Sequence, residues 1–109
     1  MVPEVKVCGI TRLEDGQNAI SLGATFLGFI LFEGSPRFID PEMARKIWDR
    51  LNPTRTFSVA VAVDPDPSFL REIYKLGFDF FQLHFPSSVD PNRVSEWTEI
   101  VGSENLWLA

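Results

Sequence analysis

Cys8 is the only cysteine among 109 residues, and it closes the apolar run "EVKVCGI" (4–10) just before a helical pattern begins. A thiolate is a base and a nucleophile, and a neighbouring ammonium such as that of Lys6 favours the thiolate form. The same thiol as a small buried residue filling a strand end is the commoner use of that residue type. Arg37 stands in the Gly/Ser/Pro loop "EGSPRFIDP" (33–41), where a guanidinium beside a strand end can fork onto a carboxylate. Gln82 and His84 close the apolar run "FDFFQLHF" (78–85). His84 is the only histidine, so a two-histidine metal site cannot be built, and no metal site is expected. Asp64-Pro65-Asp66-Pro67 could present two carboxylates to a metal, but turn and helix-cap chemistry explains the pattern better. There is no G-x-G-x-x-G or Walker-type phosphate loop.

These residues need a scaffold that gathers strand ends. "EVKVCGI" (4–10), "TFLGFILF" (25–32), "TFSVAVAV" (56–63), "FDFFQLHF" (78–85) and "NLWLA" (105–109) read as strands, rich in β-branched and aromatic residues. Between them lie four helical patterns. The first opens at Thr11-Arg12-Leu13-Glu14, which fits a capping box, with Leu13, Gly16 and Ile20 on one face and a stop at Gly23. The others open at Asp40-Pro41, Asp66-Pro67 and Asp90-Pro91, where the carboxylate caps and proline fits the first turn. Their expected buried stripes are Met43, Ala44, Ile47, Trp48 and Leu51; Phe69, Leu70, Ile73 and Tyr74; and Val94, Trp97 and Ile100 or Val101. Gly77 and Gly102 end the last two helices.

Alternating strands and helices imply right-handed crossovers and a parallel sheet, and the continuously apolar strands suggest cover on both faces. Alternation puts Lys6 and Cys8 on one face of their strand, and Gln82 and His84 on one face of theirs. Leu22-Gly23-Ala24-Thr25-Phe26-Leu27 is echoed 54 residues later by Leu76-Gly77-Phe78-Asp79-Phe80-Phe81, through recurring helix-end grammar or true repetition. A doubly wound sheet of five strands fits this length, whereas an eight-stranded β/α barrel needs roughly 200 residues or more. Both put chemistry at the carboxyl ends of the strands.

Composition excludes several classes. The chain is 45% apolar and 23% charged, an ordinary globular balance expected to form one domain over residues 1–109. Its net charge of −5 argues against binding nucleic acid, which needs a basic field. The longest wholly apolar run is about half a dozen residues, against the ~20 that cross a bilayer, so no membrane partner is expected. With no secretory leader pattern and no possible internal disulfide, the expected location is cytoplasmic.

Taken together, "KVCGIT" (6–11), "LGATFLGFILFEGSPRFI" (22–39) and "QLH" (82–84) closely resemble phosphoribosylanthranilate isomerase, in order and spacing. The resemblance implies a TIM-type (β/α)8 barrel, of which this chain carries an incomplete α/β part, about β1 to β5, the N-terminal half. It implies an Amadori rearrangement of N-(5-phosphoribosyl)anthranilate, a step of tryptophan biosynthesis, without a cofactor. An acid protonates the ribose ring oxygen, and a base removes the proton from C2 of the resulting imine. The matching positions make Cys8 the base and Arg37 the group that binds the anthranilate carboxylate, with Gln82 and His84 on the polar edge of the pocket.

The sequence also departs from the family. The acidic residue at the end of strand five is missing from "NLWLA", and the glycine-rich phosphate loops after strands seven and eight have no counterpart. Phe85 follows Gln-Leu-His where the family has glycine, and Ala62 stands where phenylalanine is common. The expectation is a truncated or incomplete isomerase, inactive alone. A non-catalytic half-barrel that serves assembly is the alternative. A signalling receiver domain would need an acidic pair at residues 7–8 and a lysine near 108, and Val7-Cys8 and Leu108-Ala109 do not fit. Unpaired strand edges, with inward residues such as Val7, Phe29 and Val61 left wet, predict a homo-oligomer.

Overall fold

The computed structural model describes residues 4–109, and within them strands and helices alternate strictly. The order is β1 (Lys6–Cys8), α1 (Leu13–Ser21), β2 (Phe26–Ile30), α2 (Pro41–Leu51), β3 (Phe57–Val63), α3 (Pro67–Tyr74), β4 (Phe80–His84), α4 (Pro91–Val101) and β5 (Leu106–Leu108). All strands are parallel, and their order in the sheet is the order in the chain, β1-β2-β3-β4-β5. A doubly wound sheet reverses direction at a switch point. This sheet has no reversal, so every crossover steps the same way and every helix falls on the same side. That is the pattern of β/α barrel units.

The core follows from this. Leu27 and Phe29 of β2, Ala60 and Ala62 of β3, and Phe81 and Leu83 of β4 form one buried cluster with Ala19, Ala44, Ile47, Leu70, Ile73, Trp97 and Val101 of the helices. Val59 and Val61 are buried on the opposite face and lie outside that cluster. Among the described residues helices therefore cover one face, which corrects the expectation of cover on both. Gly16 of α1 lets the first two helices meet, since a Cβ there would stand 2.7 Å from Leu51 Cδ1.

The open face is closed at its lower end by aromatic rings. Phe26 of β2 reaches Trp107 of β5 with ring centroids 5.0 Å apart, and Phe80 stacks on Trp107 at 5.1 Å. Phe57 joins the same group, 5.9 Å from Phe80. Flat neighbouring strands lie about 4.8 Å apart, so β2 and β5 would stand about 14 Å apart in a flat sheet. Their rings meet because the sheet curls. The echo between residues 22–27 and 76–81 is spatial as well: Phe26 and Phe80 touch edge-on at 5.8 Å.

The face assignment of two residues, Val7 and Phe29, differs from expectation. Val7 and Phe29 point to the helices, where Phe29 is fully buried and meets Trp48 and Phe78. Val61 does face the open side but is buried by the curl. The large apolar residues left wet there are Phe57 and Val63.

Three of the four helix starts are as the sequence predicts. Asp40, Asp66 and Asp90 accept from the backbone N–H groups of Glu42, Ser68 and Asn92, with proline at the first helical position. The fourth differs. No side chain caps α1; Arg12 holds the N-cap position and bonds Asp15 at 3.1 and 3.2 Å, so the Thr11/Glu14 capping box does not form. Met43 and Tyr74, expected in the buried stripes, are exposed, although the Tyr74 ring still meets that of Phe81, centroids 5.8 Å apart.

Candidate active site

Cys8 ends β1, half-buried, and its thiol is free. The chain turns sharply after it. Gly9 adopts φ +88°, and the N–H groups of Gly9 and Ile10 both donate to the Gly28 carbonyl, at 3.0 and 3.1 Å. The end of β1 is thus pinned to β2. Gly28 also makes room: a Cβ there would lie 2.9 Å from Cys8 Sγ and 3.3 Å from Lys6 Cε. Gly28 thus joins this corner as a residue beyond those expected from the sequence. A glycine inside an otherwise apolar strand is the signal that something approaches closely.

Arg37 reaches the same corner from the loop after β2. Ser35 N–H donates to the Phe32 carbonyl and Phe38 N–H to that of Ser35, so the loop folds back, and Ile39 N–H rejoins Ile30. The Ser35 hydroxyl accepts from Arg37 N–H at 3.2 Å. The guanidinium then crosses Gly9 and its Nη1 donates to the Cys8 carbonyl at 3.0 Å. A guanidinium carries five N–H donors in a fixed fork. One is used in anchoring and the exposed remainder can meet an anion.

Gln82 and His84 share the open face with Lys6 and Cys8, as alternation predicts. The register confirms it: Cys8 pairs with Gly28, Gly28 with Val59, and Val61 with Gln82. The Lys6 ammonium crosses the curled face to donate to Gln82 Oε1, and Gln82 Nε2 lies 3.0 Å from His84 Nε2. Local pattern cannot reveal the Lys6–Gln82 bond, because it joins residues three strands apart.

Other candidates have structural tasks. Asp64, in left-handed backbone at φ 41°, donates its N–H to the His84 carbonyl at 2.7 Å, and its carboxylate faces Arg93 at 3.8 Å. Asp66 caps α3, and its hydrogen bonds from Ser68 hold its carboxyl below the usual range. Phe85 turns away from the Gln82/His84 face and packs on Trp97, ring centroids 5.9 Å apart, so its bulk does not fill the open face. Ala62 is buried under the helices. Residues 106–109, at the end of β5, include no acid. A groove of about 450 Å³ between α2 and α3, floored by Leu31, Phe69 and Ile73, contains none of the strand-end residues. The site is an open surface, not that groove.

The arrangement places a free thiol, a guanidinium and a polar edge at the carboxyl ends of parallel strands. The sequence profile of the N-(5'phosphoribosyl)anthranilate (PRA) isomerase family matches residues 5–99. The N-(5'-phosphoribosyl)anthranilate isomerase of Allorhizobium ampelinum is 47% identical over 85 residues, 77% of this chain and 38% of that protein. The crystal structure of the phosphoribosyl anthranilate isomerase of Thermus thermophilus superposes with a TM-score of 0.78 at 38% identity, over 97% of this chain and 50% of that one. A phosphoribosyl anthranilate isomerase in complex with reduced 1-(o-carboxyphenylamino)-1-deoxyribulose 5-phosphate matches with a TM-score of 0.79 at 32% identity, over 90% of this chain and 50% of that one. The chain spans half or less of the length of these relatives.

Proposed function

The chain belongs to the N-(5'-phosphoribosyl)anthranilate isomerase family, and on that premise we propose that it supplies the proton-removing and carboxylate-binding half of an isomerase site. The substrate is N-(5-phosphoribosyl)anthranilate and the reaction its aldose-to-ketose rearrangement in tryptophan biosynthesis. The ligand solved with one relative supports the substrate class, since it joins a carboxyphenyl amine to a deoxyribulose phosphate.

In this proposal an acid protonates the ring oxygen, the ring opens to an imine, and the Cys8 thiolate takes the proton from C2. The electrons left behind move toward the nitrogen, and the resulting enol becomes the ketose. Arg37 forks onto the anthranilate carboxylate, and Gln82 and His84 line the sugar side. The observation that carries the reading is the bond from Arg37 Nη1 to the Cys8 carbonyl, which fixes the carboxylate-binding group relative to the base. No carboxylic acid stands at the end of β5, so the acid and the phosphate-binding backbone are assigned to the part of the barrel beyond these residues. No described helix is long and apolar enough to cross a membrane, and a cytoplasmic, reducing location suits a reaction that needs a free thiol.

The test is turnover of N-(5-phosphoribosyl)anthranilate by the 109-residue chain alone and with the complementary half of a relative's barrel supplied. Negligible turnover alone and turnover on complementation is the expected result. The outer edges of β1 and β5 have no strand partner among the described residues, so self-association of the chain alone belongs to the same proposal. Sedimentation as a monomer at micromolar concentration contradicts that part. An assembled chain that never supports turnover favours a non-catalytic assembly module.

A further inference from the structure

The hydrogen-bond chain across the open face has a direction fixed by chemistry. Lys6 Nζ meets the side chain of Gln82. An ammonium has three donors and no acceptor, so the carboxamide must turn its oxygen to Lys6 and its NH2 away. That NH2 lies 3.0 Å from His84 Nε2. A carboxamide nitrogen donates and does not accept, so the ring nitrogen facing it must hold a lone pair and no proton. In the neutral imidazole the one proton then sits on Nδ1. No hydrogen bond among the described residues involves Nδ1, and no buried side-chain nitrogen or oxygen there lacks a partner. Nδ1–H is therefore open to a ligand or water.

Two further features tie this chain to Lys6. Gly28, directly beside β1, leaves the space through which the Lys6 stem passes, 3.3 Å from where a Cβ would stand. The other charged groups near the end of β4 are engaged elsewhere: Asp64 faces Arg93, and Arg37 bonds the Cys8 carbonyl. Neither is bonded to His84 or Gln82 through its side chain.

We infer that Lys6 is a positioning residue which, through Gln82, holds His84 as the Nδ1–H tautomer, making it a hydrogen-bond donor at the strand ends and not a proton acceptor. The ligand group it suits is an oxygen acceptor, such as a hydroxyl or carbonyl of an open-chain sugar. This assignment of a ligand rests on the isomerase reading above; the tautomer does not. It also divides the labour: His84 donates, and Cys8 is left as the base.

The protein has one histidine, so a histidine-selective 15N label reports this ring alone. Long-range proton–nitrogen correlation at about pH 8, above the ordinary imidazole pKa of about 6.5, distinguishes the two ring nitrogens. The expected spectrum has a protonated Nδ1 and an unprotonated Nε2. Lys6→Met frees the carboxamide to turn and should move the ring toward Nε2–H, whereas Lys6→Arg, again a donor without an acceptor, should keep Nδ1–H. Gln82→Glu offers Nε2 only acceptors and should give Nε2–H. A wild-type ring carrying its proton on Nε2 overturns the inference outright, whether or not the variants fold. An unchanged Nδ1–H tautomer in a folded Lys6→Met protein overturns the role of Lys6. Loss of the isomerase reading would show as absent turnover even with the complementary half of the barrel supplied, with the tautomer intact, so the two failures are separable.

Discussion

A side chain at residue 9 and the guanidinium of Arg37 exclude each other. A Cβ built on Gly9 would stand 2.7 Å from Arg37 Nη1 and 2.8 Å from its Cζ. Gly9 also holds φ +88°, a conformation that L side chains rarely adopt. Gly9→Ala should therefore act twice. Backbone strain should cost about 1–3 kcal/mol of stability, read from the urea midpoint, and displacement of Arg37 should raise KM in the active enzyme. A lowered midpoint with unchanged KM would show that the contact is only structural.

Removing the fork itself isolates its contribution. Arg37→Ala should raise KM by about 10- to 150-fold, corresponding to about 1.5–3 kcal/mol for a charge-assisted hydrogen bond, with kcat little changed. Steady-state kinetics on phosphoribosylanthranilate decide it. An effect on thermal stability alone would assign the loop a structural role.

Cys8→Ser replaces the thiol by a hydroxyl, a far weaker acid whose conjugate base is scarcely populated. In an active enzyme carrying this segment, kcat should fall by at least ~100-fold with KM similar, within the range for loss of a general base. Near-normal turnover would remove Cys8 from that role.

Gly28→Ala tests whether the thiol must sit where it does. The new methyl would lie 2.9 Å from Sγ and 3.3 Å from Cys8 Cα, so Cys8 has to move. Misplacement on the order of 1 Å can cost about 100-fold in rate, and overpacking typically costs about 1–3 kcal/mol. A folded variant by circular dichroism, with kcat sharply reduced, is the expected outcome. Retained kcat would mean that the thiol position is not demanding.

Asp66 gives a pH dependence whose sign is fixed. The hydroxyl and N–H of Ser68 stabilise the carboxylate, so its folded pKa lies below the unfolded value of about 3.9. Its contribution is present above that unfolded value and is lost as pH falls through the lowered folded one. A carboxyl carbon titration by NMR should find the Asp66 midpoint below that of ordinary aspartates, and Ser68→Ala should raise it. An unchanged midpoint in Ser68→Ala would locate the cause elsewhere.

The aspartate–proline helix starts were legible because a cap and a preset first turn act within three residues. So was the sharing of a face by Lys6 with Cys8, and by Gln82 with His84, since alternation is a property of one strand. Which face is open was not legible. "TFLGFILF" is apolar at nearly every position, so nothing local distinguishes Phe29, under the helices, from Phe26, on the open side. The strand order supplied that answer, by placing every helix on one side. The Thr11/Glu14 pattern fits a capping box, but Arg12 bonds Asp15 instead, and nothing in the spacing distinguishes these outcomes. The link from Lys6 to Gln82 depends on sheet curvature, a collective property of all the strands.

Because each strand lies beside the one before it, adding a strand never requires closing more than one βα unit of chain, and closure entropy grows only slowly with loop length. The sheet can thus be laid down in the direction of synthesis, each new strand finding its template already in place. The two links at the strand ends then have different birth dates. Arg37 meets Cys8 within the first two units, as soon as β2 and its loop have formed. Lys6 must wait for β4 before Gln82 arrives. The Arg37–Cys8 link is an early product of assembly, and the Lys6–Gln82–His84 edge a late one.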